Sequence, residues 1–482
     1  MSKDLESLEP LVALCKRRGI IYQSSEIYGG LTSCWDYGPL GVELKRNVKD
    51  QWWHDVVTTR EDVVGLDASI LMHPRVWEAS GHVAGFNDPL IDNKTSKARF
   101  RADHLIEQHI KNLEDKGKEE EATRVENALE KAINNPEKLY QIIMDEEIRD
   151  PVGGTTDWTP VRQFNLMFKT HFGPTEDTAS QVYMRPETAQ GIFVNFDNVT
   201  STTRVKLPFG IAQVGKSFRN EVTTGNFIFR SREFEQMELE YFVDPDKTRE
   251  HFDHWVQARF DWYVSLGVNE KKLRLRPHTE EELAHYASTC SDVEYKFPFG
   301  WSELEGIADR GTFDLDQHAE FSGKKLTYFD QPNNQHITPA VVETSAGVDR
   351  TVLTILADAY WEDEENDRTV LQLSPKIAPT KVAIFPLFKK KGMPEMARNI
   401  YDDLHEEFST FYDDGGSIGK RYRRQDEAGT PYCITVDHDS VEDGTVTLRD
   451  RDSLEQIRLN ADNLKEALNE RLSAATVQLK VG

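Results

Sequence analysis

The stretch that decides the fold is Gln213-Val214-Gly215-Lys216-Ser217-Phe218-Arg219-Asn220-Glu221, followed after a gap by Phe229-Arg230-Ser231-Arg232-Glu233-Phe234-Glu235-Gln236-Met237-Glu238. Both runs have the period of two that is typical of β-strands, and the turn-forming residues Thr223 to Asn226 predict an antiparallel pair. The side chains expected on one face suit a site for a nucleotide and a small cationic group better than an apolar core. They are Arg219, Glu221, Arg230, Arg232, Phe234, Gln236 and Glu238.

The length and the charge of the chain limit the classes of function. Its 482 residues suggest roughly three domains of about 150 residues each. There are 58 Lys and Arg against 83 Asp and Glu, a formal net charge of -25. This charge argues against broad binding to DNA or to anionic membranes, although local basic patches could still bind RNA. No stretch is long and apolar enough to cross a membrane, and residues 1–6 do not resemble a signal peptide.

The cysteines indicate the compartment and argue against a structural metal. Cys15, Cys34, Cys290 and Cys433 are scattered and form no CxxC pair. Scattered cysteines are typical of reduced cytoplasmic proteins and do not suit a structural zinc site. We therefore expect a cytoplasmic protein without zinc.

The pattern along the chain predicts three units. The main domain covers residues 1–104 and 151–373, with a strand over Asp62 to Met72 and many strands after Trp158. Residues 105–150 are highly charged, contain little that could form a core, and predict an inserted helical subdomain. Residues 374–482 follow a break with two prolines and alternate strands and helices, with a final helix after Asp452. This order is typical of a small α/β domain.

A third segment, Val341-Val342-Glu343-Thr344-Ser345-Ala346-Gly347-Val348-Asp349-Arg350, predicts a strand that turns at Gly347 into a helix. Glu343 and Ser345 would share one face, and Arg350 would lie in the first turn of the helix. An arginine at a helix N-terminus suits a phosphate. Taken alone, Arg350 could equally be a surface residue that pairs with Asp349 or Glu343.

A fourth segment is Arg185-Pro186-Glu187-Thr188-Ala189-Gln190-Gly191. Taken alone, it could be a capped helix start, with Glu187 near the positive end of the helix dipole. The run Gly415 to Arg421 is not a P-loop: Asp414 stands where the first glycine should be and Arg421 replaces Ser or Thr. Nor is there an HExxH motif. We expect a nucleotide to be bound by an antiparallel sheet and arginines.

These segments together resemble class II aminoacyl-tRNA synthetases. Phe218-Arg219-Asn220-Glu221 is similar to their second signature motif, and Gly347-Val348-Asp349-Arg350 is similar to the third. Within the class, the resemblance is to the dimeric form of glycyl-tRNA synthetase and covers nearly the whole chain. The further segments that carry it are Trp35 to Gly41, Phe100 to His104, Arg185 to Gly191, Arg230 to Glu238, Trp301 to Ile307 and Glu343 to Arg350.

The resemblance implies an α+β fold in which a catalytic domain has an antiparallel sheet flanked by helices, with a helical insertion and a C-terminal α/β anticodon-binding domain. It implies a homodimer and the partners glycine and tRNA(Gly). Three departures are visible. Asp92 to Lys97 holds no Cys pair for a zinc knuckle, Thr344 stands where relatives carry Pro, and the first class motif is degenerate.

For ATP, the resemblance implies that Arg219 holds the α-phosphate, Glu221 the adenine amine and Arg350 the γ-phosphate, with Phe234 stacked on adenine. Arg219 and Arg350 are the expected catalytic residues, and Glu303 is a candidate ligand of Mg²⁺. The full expected set is Arg219, Asn220, Glu221, Phe229, Arg230, Ser231, Arg232, Glu233, Phe234, Glu303, Leu304, Gly347, Val348, Asp349 and Arg350.

For glycine, the resemblance implies that Glu187, Glu238 and Glu343 surround the ammonium group, with Ser345 beside them, and Arg101 is a candidate for the carboxylate. Larger amino acids would be excluded sterically, so no editing domain is needed. The full expected set is Arg101, Glu187, Phe234, Glu235, Gln236, Met237, Glu238, Glu343, Thr344, Ser345, Ala346 and Gly347.

The C-terminal unit carries the basic clusters that an acidic protein would need to bind RNA. The run Lys389 to Lys391 is one, and the tRNA-binding candidates Lys420, Arg421, Arg423 and Arg424 form the other. Three other functions stay open: a synthetase for threonine, serine or proline, a synthetase-like nucleic-acid-binding protein without activity, and an adenylate-forming ligase that uses no tRNA.

Overall fold

A seven-stranded, mostly antiparallel sheet forms the centre of the larger domain in a computed structural model of the chain. The structure describes residues 5–132, 135–173, 181–222, 225–279, 282–284, 286–331 and 333–478, with side chains up to residue 473. Helices flank this sheet, a helical unit and a second sheet domain are attached to it, and the expected α+β class is confirmed.

Sixteen α-helices are present in the described part of the chain. A short π-helix, His54–Thr58, continues the second of them. The helices are α1 Glu9–Arg18, α2 Pro39–Trp53, α3 Pro74–Ala79, α4 His82–Gly85, α5 Ala102–Glu114, α6 Glu119–Glu130, α7 Pro136–Asp145, α8 Ala189–Phe193, α9 Phe196–Thr203, α10 Thr248–Ser265, α11 Phe313–Ser322, α12 Val348–Ala359, α13 Met393–His405, α14 Ile418–Ala428, α15 His438–Asp443 and α16 Leu464–Gln478.

The strands are mostly short, and the long ones belong to the central sheet. They are β1 Ile21–Gln23, β2 Trp35–Tyr37, β3 Val63–Gly65, β4 Asn87–Asp92, β5 Arg99–Arg101, β6 Arg162–Asn165, β7 Lys169–His171, β8 Gln181–Tyr183, β9 Phe209–Phe218, β10 Glu233–Val243, β11 Leu273–Pro277, β12 Thr289–Phe297, β13 Gly300–Gly311, β14 Tyr328–Asp330, β15 Gln335–Ile337, β16 Ala340–Gly347, β17 Tyr360–Asp363, β18 Arg368–Leu371, β19 Val382–Pro386, β20 Thr410–Tyr412, β21 Tyr432–Val436, β22 Thr445–Asp450 and β23 Gln456–Asn460.

The central sheet has the order β11-β12-β13-β16-β10-β9-β3, and only β3 runs parallel to its neighbour. The expected antiparallel pair is therefore confirmed: β9 pairs with β10, and β10 pairs on its other side with β16. In this register Glu238 lies opposite Gln213 on β9 and Ser345 on β16, and Glu240 lies opposite Glu343. Directly opposed residues share a face, so these side chains are neighbours.

The two faces of the sheet have different chemistry. On one face, Met237 and Ala346 are buried in a core with residues of α2, α10 and α12. On the other face lie Phe234, Gln236, Glu238 and Glu240, because side chains alternate along a strand. We call this second face the reaction face.

The strand ends differ from the expectation. Strand β9 stops at Phe218 and β10 begins at Glu233, so Arg219, Glu221, Arg230 and Arg232 lie in the connection rather than on the strands. Its described part contains a 3₁₀ turn, and the expected turn residues Thr223 and Thr224 lie outside the described residues. The expected strand from Asp62 to Met72 is reduced to β3, whereas the break at Gly347 between β16 and α12 is confirmed.

The charged helices α5, α6 and α7 pack beside the small sheet β5-β4-β6 and have a core of their own. That core includes Ile106, Val125 and Ile143, and it also takes in Ile91 and Trp158 from the sheet and the segment after the helices. The expectation that residues 105–150 contain little core is therefore wrong. The charges occupy one side of each helix and leave an apolar stripe on the other.

The C-terminal domain has the sheet order β20-β19-β21-β22-β23, of which the first three strands are parallel. The expected α/β alternation is confirmed. Two elements differ: strand β23 precedes the final helix, so that helix starts at Leu464, and the basic run Lys420 to Arg424 lies on helix α14. A salt bridge between Arg17 of α1 and Glu427 of α14 joins the two domains.

Candidate active site

A cleft on the reaction face collects most of the residues expected to bind ATP. Three arginines from three segments converge there: Arg219 after β9, Arg230 before β10 and Arg350 in α12. We call it the arginine cleft. Its lining residues are Arg219, Glu221, Ile228, Phe229, Arg230, Ser231, Phe234, Gln236, Glu303, Leu304, Ser345, Gly347, Asp349 and Arg350.

Arg350 is held in place from three sides. Its Nε donates to the carbonyl oxygen of Phe229 at 3.2 Å, and its guanidinium lies 4.4 Å from the centre of the Phe229 ring. Its Nη1 is 3.1 Å from the Glu303 carboxylate. The simpler pairing of Arg350 with Asp349 or Glu343 does not occur. The guanidinium is therefore fixed at the edge of the cleft, as a phosphate-binding group needs to be.

Arg219 lies between aromatic rings. Its guanidinium is 5.3 Å from the ring centres of both Phe86 and Phe234, and its Nε donates to the carbonyl oxygen of Pro186 at 3.0 Å. A cation over an aromatic face is stabilised without a carboxylate partner. Arg219 therefore keeps its positive charge for an anionic ligand in the cleft.

The cations of the cleft also control the ionisation of its acids and bases. The nearby cations Arg350 and Arg219 lower the pKa of Glu303, whose side chain is about half exposed. Burial lowers the pKa of Arg230, and the charges of Arg350 and Arg101 add to this. Crowded cations of this kind are stabilised by a polyanion such as a triphosphate.

Asp349 fixes the start of α12 from behind the sheet, and sequence analysis did not identify its partners. Its Oδ1 accepts from Tyr37 at 2.6 Å and from Lys45 at 3.0 Å, while Oδ2 accepts the backbone N–H of Glu235 at 2.9 Å. Lys45 and Lys49 of α2 also bind the Glu235 carboxylate. This network sets the position of the neighbouring Arg350.

The residues expected to bind the substrate ammonium group also come together. Carboxylate oxygens of Glu238 and Glu343 lie within 4.8 Å of one another and of Glu240. Glu187, from the loop before α8, raises the pKa values of both Glu238 and Glu343 by its charge, so it is close to them. We call Glu187, Glu238 and Glu343 the carboxylate pocket. Gln236 Nε2 donates to Ser345 Oγ at 3.2 Å and connects this pocket to the arginine cleft.

Arg310 of β13 completes the pocket, and sequence analysis missed it. It is only 3% exposed; its Nη1 lies 2.6 Å from Glu343, and its Nε and Nη2 bind Asp314 at 2.7 and 2.9 Å. Its guanidinium also stacks 3.8 Å from the ring centre of Tyr286. One buried cation thus offsets part of the negative charge of the pocket.

Three further polar residues around Glu187 and Glu238 were missed. His82 Nε2 lies 3.2 Å from Glu187, and Gln190 Nε2 donates to the same carboxylate at 3.0 Å. Thr188 donates to Glu238. The only local signal in the sequence was the polar character of Thr188 and Gln190 beside Glu187. The Glu187 side chain therefore serves this polar cluster rather than a helix cap.

The carboxylates differ strongly in their ionisation. Burial would raise the pKa of Glu187, but His82, Arg310 and the hydrogen bond from Gln190 outweigh it and lower the pKa. Burial and the charges of Glu343 and Glu187 raise the pKa of Glu238 to about 8. Burial, with Glu187 and Asp314, also raises the pKa of Glu343 despite Arg310. An added cation would stabilise the charged forms of Glu238 and Glu343.

Four residues expected to bind glycine lie on the wrong face of the sheet. Met237, Thr344 and Ala346 are fully buried, and Glu235 is bound by lysines of α2. Each alternates with a residue of the reaction face, so its side chain points away from the pocket. The prediction that these side chains bind glycine is therefore wrong.

Arg101 is not at the carboxylate pocket either. Its guanidinium bonds Asp88 at 3.0 Å and also bonds Asp103. Its charge acts on Arg230 and His104, and these contacts place it at the arginine cleft. Arg101 therefore lies beside the arginine cleft, and its contact with the substrate carboxylate stays a prediction.

Four residues of the expected ATP set do not line the cleft. Val348 is fully buried, Glu233 pairs with Lys216 at the exposed start of β10, and Arg232 donates to the backbone of Thr32 and Glu221. Asn220, the residue after Arg219, is not among the residues that line the cleft. Of these residues, Arg232 stabilises the loop that carries Arg219 and Arg230, through its bond to Glu221.

Helix α14 turns some side chains of the basic run Lys420 to Arg424 toward the domain and others toward solvent. Arg421 is 3% exposed and donates to the carbonyl oxygens of Pro386, Leu387 and Gly416. Its predicted contact with tRNA is therefore wrong, because a helix places every third or fourth side chain against the domain. Arg424 binds Asp413, and Arg423 and Lys420 are both exposed, with Arg423 donating to the Asn366 carbonyl.

Family models match three parts of the chain. A model described as "tRNA synthetase class II core domain (G, H, P, S and T)" matches residues 168–359. One described as "Glycyl-tRNA synthetase insertion domain 1" matches residues 88–132 and 118–166, and one described as "Anticodon binding domain" matches residues 381–471.

A solved structure has a similar fold. It is the prolyl-tRNA synthetase from Cryptosporidium parvum, in complex with halofuginone and AMPPNP. It is similar at a TM-score of 0.64 over 97% of this chain and 78% of that one, with 13% identity. At this level of identity the likeness shows the fold alone.

Curated relatives are similar over nearly their full length. The glycine–tRNA ligase of Chlorobaculum tepidum is 54% identical over 471 residues, which cover 96% of this chain and 100% of the relative. The glycine–tRNA ligase of Geobacillus thermodenitrificans is also 54% identical, over 97% of this chain and 98% of that protein. With a class II core, an anticodon-binding domain and this identity, the chain belongs to the glycine–tRNA ligase family of class II aminoacyl-tRNA synthetases.

Proposed function

We propose that this protein activates glycine with ATP, forming glycyl-adenylate and pyrophosphate, and then transfers the glycyl group to the 3′ end of tRNA(Gly) for translation. The observation that carries this proposal is the common face of the arginine cleft and the carboxylate pocket, joined by the bond between Gln236 and Ser345. A triphosphate and an ammonium compound could be bound there side by side.

The first step needs positioning and neutralisation of charge rather than a protein nucleophile. The substrate carboxylate attacks the α-phosphorus, and pyrophosphate leaves. Arg219 would stabilise charge at the α-phosphate, and Arg350 would hold the γ-phosphate. Phe234 would stack on adenine and Glu221 would accept from its amine. Fixed cations in a partly desolvated cleft lower the barrier because they need no reorganisation during the reaction.

A magnesium ion fits the same region. Mg²⁺ prefers carboxylate oxygens and usually bridges phosphates. Oδ1 of Asp292 and Oε1 of Glu303 lie 3.7 and 3.9 Å from the point where a Cβ on Gly306 would be. Two carboxylates therefore converge above a residue without a side chain. They would hold the ion, which would supply charge neutralisation to the phosphates.

The test of this function is glycine-dependent exchange of pyrophosphate into ATP, measured with a panel that includes threonine, serine and proline. We expect exchange with glycine only. Exchange with another amino acid would favour a synthetase of different specificity, and no exchange would favour a binding protein without activity. Exchange without charging of tRNA(Gly) would favour a ligase that uses no tRNA.

Binding of tRNA by the C-terminal domain is part of the proposal. Lys389 bonds Asp414 at 2.9 Å, and Lys420 lies 3.9 Å from the Cβ position of Gly416. Lys389, Lys390, Lys391 and Lys420 are all exposed, and we propose that they form one surface, which we call the lysine patch. Clustered exposed lysines are suited to RNA phosphates.

Charge reversal in the lysine patch should separate the two steps. In the double variant Lys391→Glu and Lys420→Glu, we expect the KM for tRNA to rise about tenfold or more, because phosphate contacts are lost and repulsion is added. Glycine-dependent exchange should be unchanged. The measurement is aminoacylation at varied tRNA concentration beside exchange under the same conditions.

Lys465→Glu is the matched control, because Lys465 pairs with Asp403 on another exposed part of the same domain. Its KM for tRNA should stay within about twofold of wild type. An equal loss of exchange and charging in the double variant would contradict the assignment of the patch.

A homodimer is also proposed. Ile27 and Tyr28 are 90% and 88% exposed, and Leu31 beside them is 54% exposed. An open groove near α1 includes Leu8, Val12, Trp35, Phe227 and Phe299. Contiguous exposed apolar residues mark an interaction surface, and a second copy of the chain is the partner that the resemblance implies. Sedimentation of Ile27→Asp at micromolar concentration should show more monomer than wild type; a monomeric wild type would contradict the proposal.

Two further expectations belong to the same proposal. The first is a catalytic domain over residues 1–104 and 151–373, an insertion over 105–150 and an anticodon-binding domain over 374–482. The second is a cytoplasmic location, which fits four free thiols. Fluorescence microscopy of a tagged chain would test the location, and limited proteolysis would test the boundaries. Among the described residues, no helix is both long and apolar enough to span a membrane.

A further inference from the structure

The carboxylate pocket and Glu240, which lies behind it, together contain more acid than the nearby cations balance. Glu238, Glu240 and Glu343 lie on neighbouring positions of β10 and β16, each less than 9% exposed, with carboxylate oxygens within 4.8 Å of one another. Glu187 lies close by. Among the described residues, Arg310 is the arginine or lysine that forms an ion pair with this group, through Glu343, and it also binds Asp314; His82 lies 3.2 Å from Glu187. Buried like charges at this separation cannot all be ionised.

The donors around each carboxylate show where protons are held. Glu187 is approached by His82 and Gln190, and Glu343 by Arg310. In the described part of the chain, the hydrogen-bond donors to Glu238 are the hydroxyl groups of Thr188 and Ser345. Neither oxygen of Glu240 has a hydrogen-bond partner among the described residues, and the side chain is fully buried. Among the described residues, Glu238 and Glu240 are therefore the two carboxyl groups of this set that form no ion pair.

We propose that the pocket binds glycine by exchanging a proton for the substrate ammonium group: Glu238 carries the proton before glycine binds and releases it to solvent when the ammonium group arrives. Glu240, behind Glu238, keeps its proton throughout. The O–H bond of the Glu238 carboxyl group breaks, the proton passes to water, and the carboxylate that remains accepts a bond from the ammonium group. This inference rests on the proposed function.

The residues around Glu238 and Glu240 support the assignment of the exchanged proton to Glu238. Three charged or titratable residues face Glu238. They are Glu187 in the loop before α8, Arg185 two residues earlier, and Glu343 on β16. On β9, Glu238 lies opposite the uncharged Gln213. Glu240 is near Glu343, Arg310, Glu238 and Asp314, and opposite Ile211 on β9. The substrate ammonium group would reach Glu238, whose hydroxyl partner Ser345 lines the open cleft, before it reached Glu240.

The affinity for glycine should rise with pH. Burial raises the pKa of Glu238 to about 8 before glycine binds, and an adjacent ammonium group would lower it. Glycine binding should therefore be weaker below pH 8, where the carboxyl group must first lose its proton. Its affinity should rise about tenfold for each unit of pH up to about 8 and then level off, as expected for release of one proton.

The experiment is calorimetric titration of glycine into the full-length protein at pH 7, in two buffers that differ in enthalpy of protonation. We expect release of close to one proton for each glycine bound. The KM for glycine in pyrophosphate exchange, measured from pH 6 to 9, should show the matching slope. Binding heats that are independent of the buffer, with a KM that is independent of pH, would overturn the proposal.

Glu240→Gln is the matched control, because it makes the same change two residues along the same face without touching substrate. Since Glu240 is already neutral, proton release and the KM for glycine should stay within about twofold of wild type. Glu238→Gln should raise the KM at least about tenfold and remove its pH dependence. Loss of proton release in Glu240→Gln, with Glu238→Gln unaffected, would overturn the assignment of the proton.

The outcomes also separate this inference from the function on which it rests. Exchange with a KM for glycine that does not vary with pH would overturn proton exchange alone. Absence of glycine-dependent exchange at every pH would overturn both the function and the inference. The wild-type titration decides the inference even if Glu240→Gln does not fold.

Discussion

Replacement of Arg219 with alanine should lower glycine-dependent pyrophosphate exchange by about 10³-fold or more. A cation that acts on phosphoryl charge in the transition state contributes on this scale. Arg219 lies between the rings of Phe86 and Phe234 and is oriented by the Pro186 carbonyl group, so its charge is fixed before substrates bind. The loss should appear in kcat more than in the KM for ATP, because other cations of the cleft still bind the triphosphate.

Two variants accompany this measurement. Arg219→Lys retains a positive charge but loses the planar donor fork, so we expect partial activity between those of wild type and alanine. Arg75→Ala is the matched control, because the Arg75 side chain is exposed and donates to the backbone oxygen of Phe321, away from the arginine cleft. Its activity should equal that of wild type. Exchange by Arg219→Ala at a near-normal rate would refute the catalytic assignment of Arg219.

Replacement of Arg310 with methionine should have the second large effect, on both stability and glycine binding. The substitution keeps much of the volume but leaves Glu343 and Asp314 without their buried cation. Breaking a buried ion pair from one side costs about 3–5 kcal/mol of unfolding free energy. We expect a lower Tm and a large increase in the KM for glycine, with a smaller change in the KM for ATP. Thermal unfolding and exchange kinetics measure these effects.

Arg249→Ala is the matched control for Arg310. Arg249 also pairs with an acid four residues away, Asp253, but on the surface of α10. Exposed pairs contribute little because water and salt screen them. This variant should therefore unfold at the wild-type temperature. If Arg310→Met retained wild-type values for both Tm and the KM for glycine, the buried network would not have the role assigned to it.

The sequence predicts a large part of the reaction face correctly. The period of two along β10 places Phe234, Gln236 and Glu238 on one face, and it holds because β9 and β10 pair without a bulge. The period of two does not predict where the pairing of β9 with β10 ends. Arg219 and Arg230 lie beyond the strand ends, where backbone conformation rather than alternation determines direction. They still reach the cleft because both belong to the connection between the two strands.

Other errors arise from long-range contacts. Glu235 and Met237 were expected to bind glycine because they belong to the same contiguous segment as Glu238. Half of the side chains of any strand, however, face away from a site on one side of the sheet. Arg310 was missed because its partner Glu343 is 33 residues distant and belongs to another strand. Arg421 was assigned to tRNA because a basic run does not show which of its members a helix turns inward. The direction of a strand side chain, the pairing of distant residues and the inward face of a helix become visible only in the folded structure.

The unbroken register of β10 with both neighbours has a consequence for changes in chain length. Deleting one residue between Glu233 and Glu238 would shift the later residues by one position, so Glu238 would point toward α12 and Leu239 would point into the pocket. The deletion would bury a charge in the core and remove substrate contacts in a single event. Substitutions along β10 can each be offset by a neighbour, whereas an insertion or deletion has no local compensation. Variation in length among related chains should therefore be confined to the connections, such as the one between Glu221 and Arg230, and should be absent from β10.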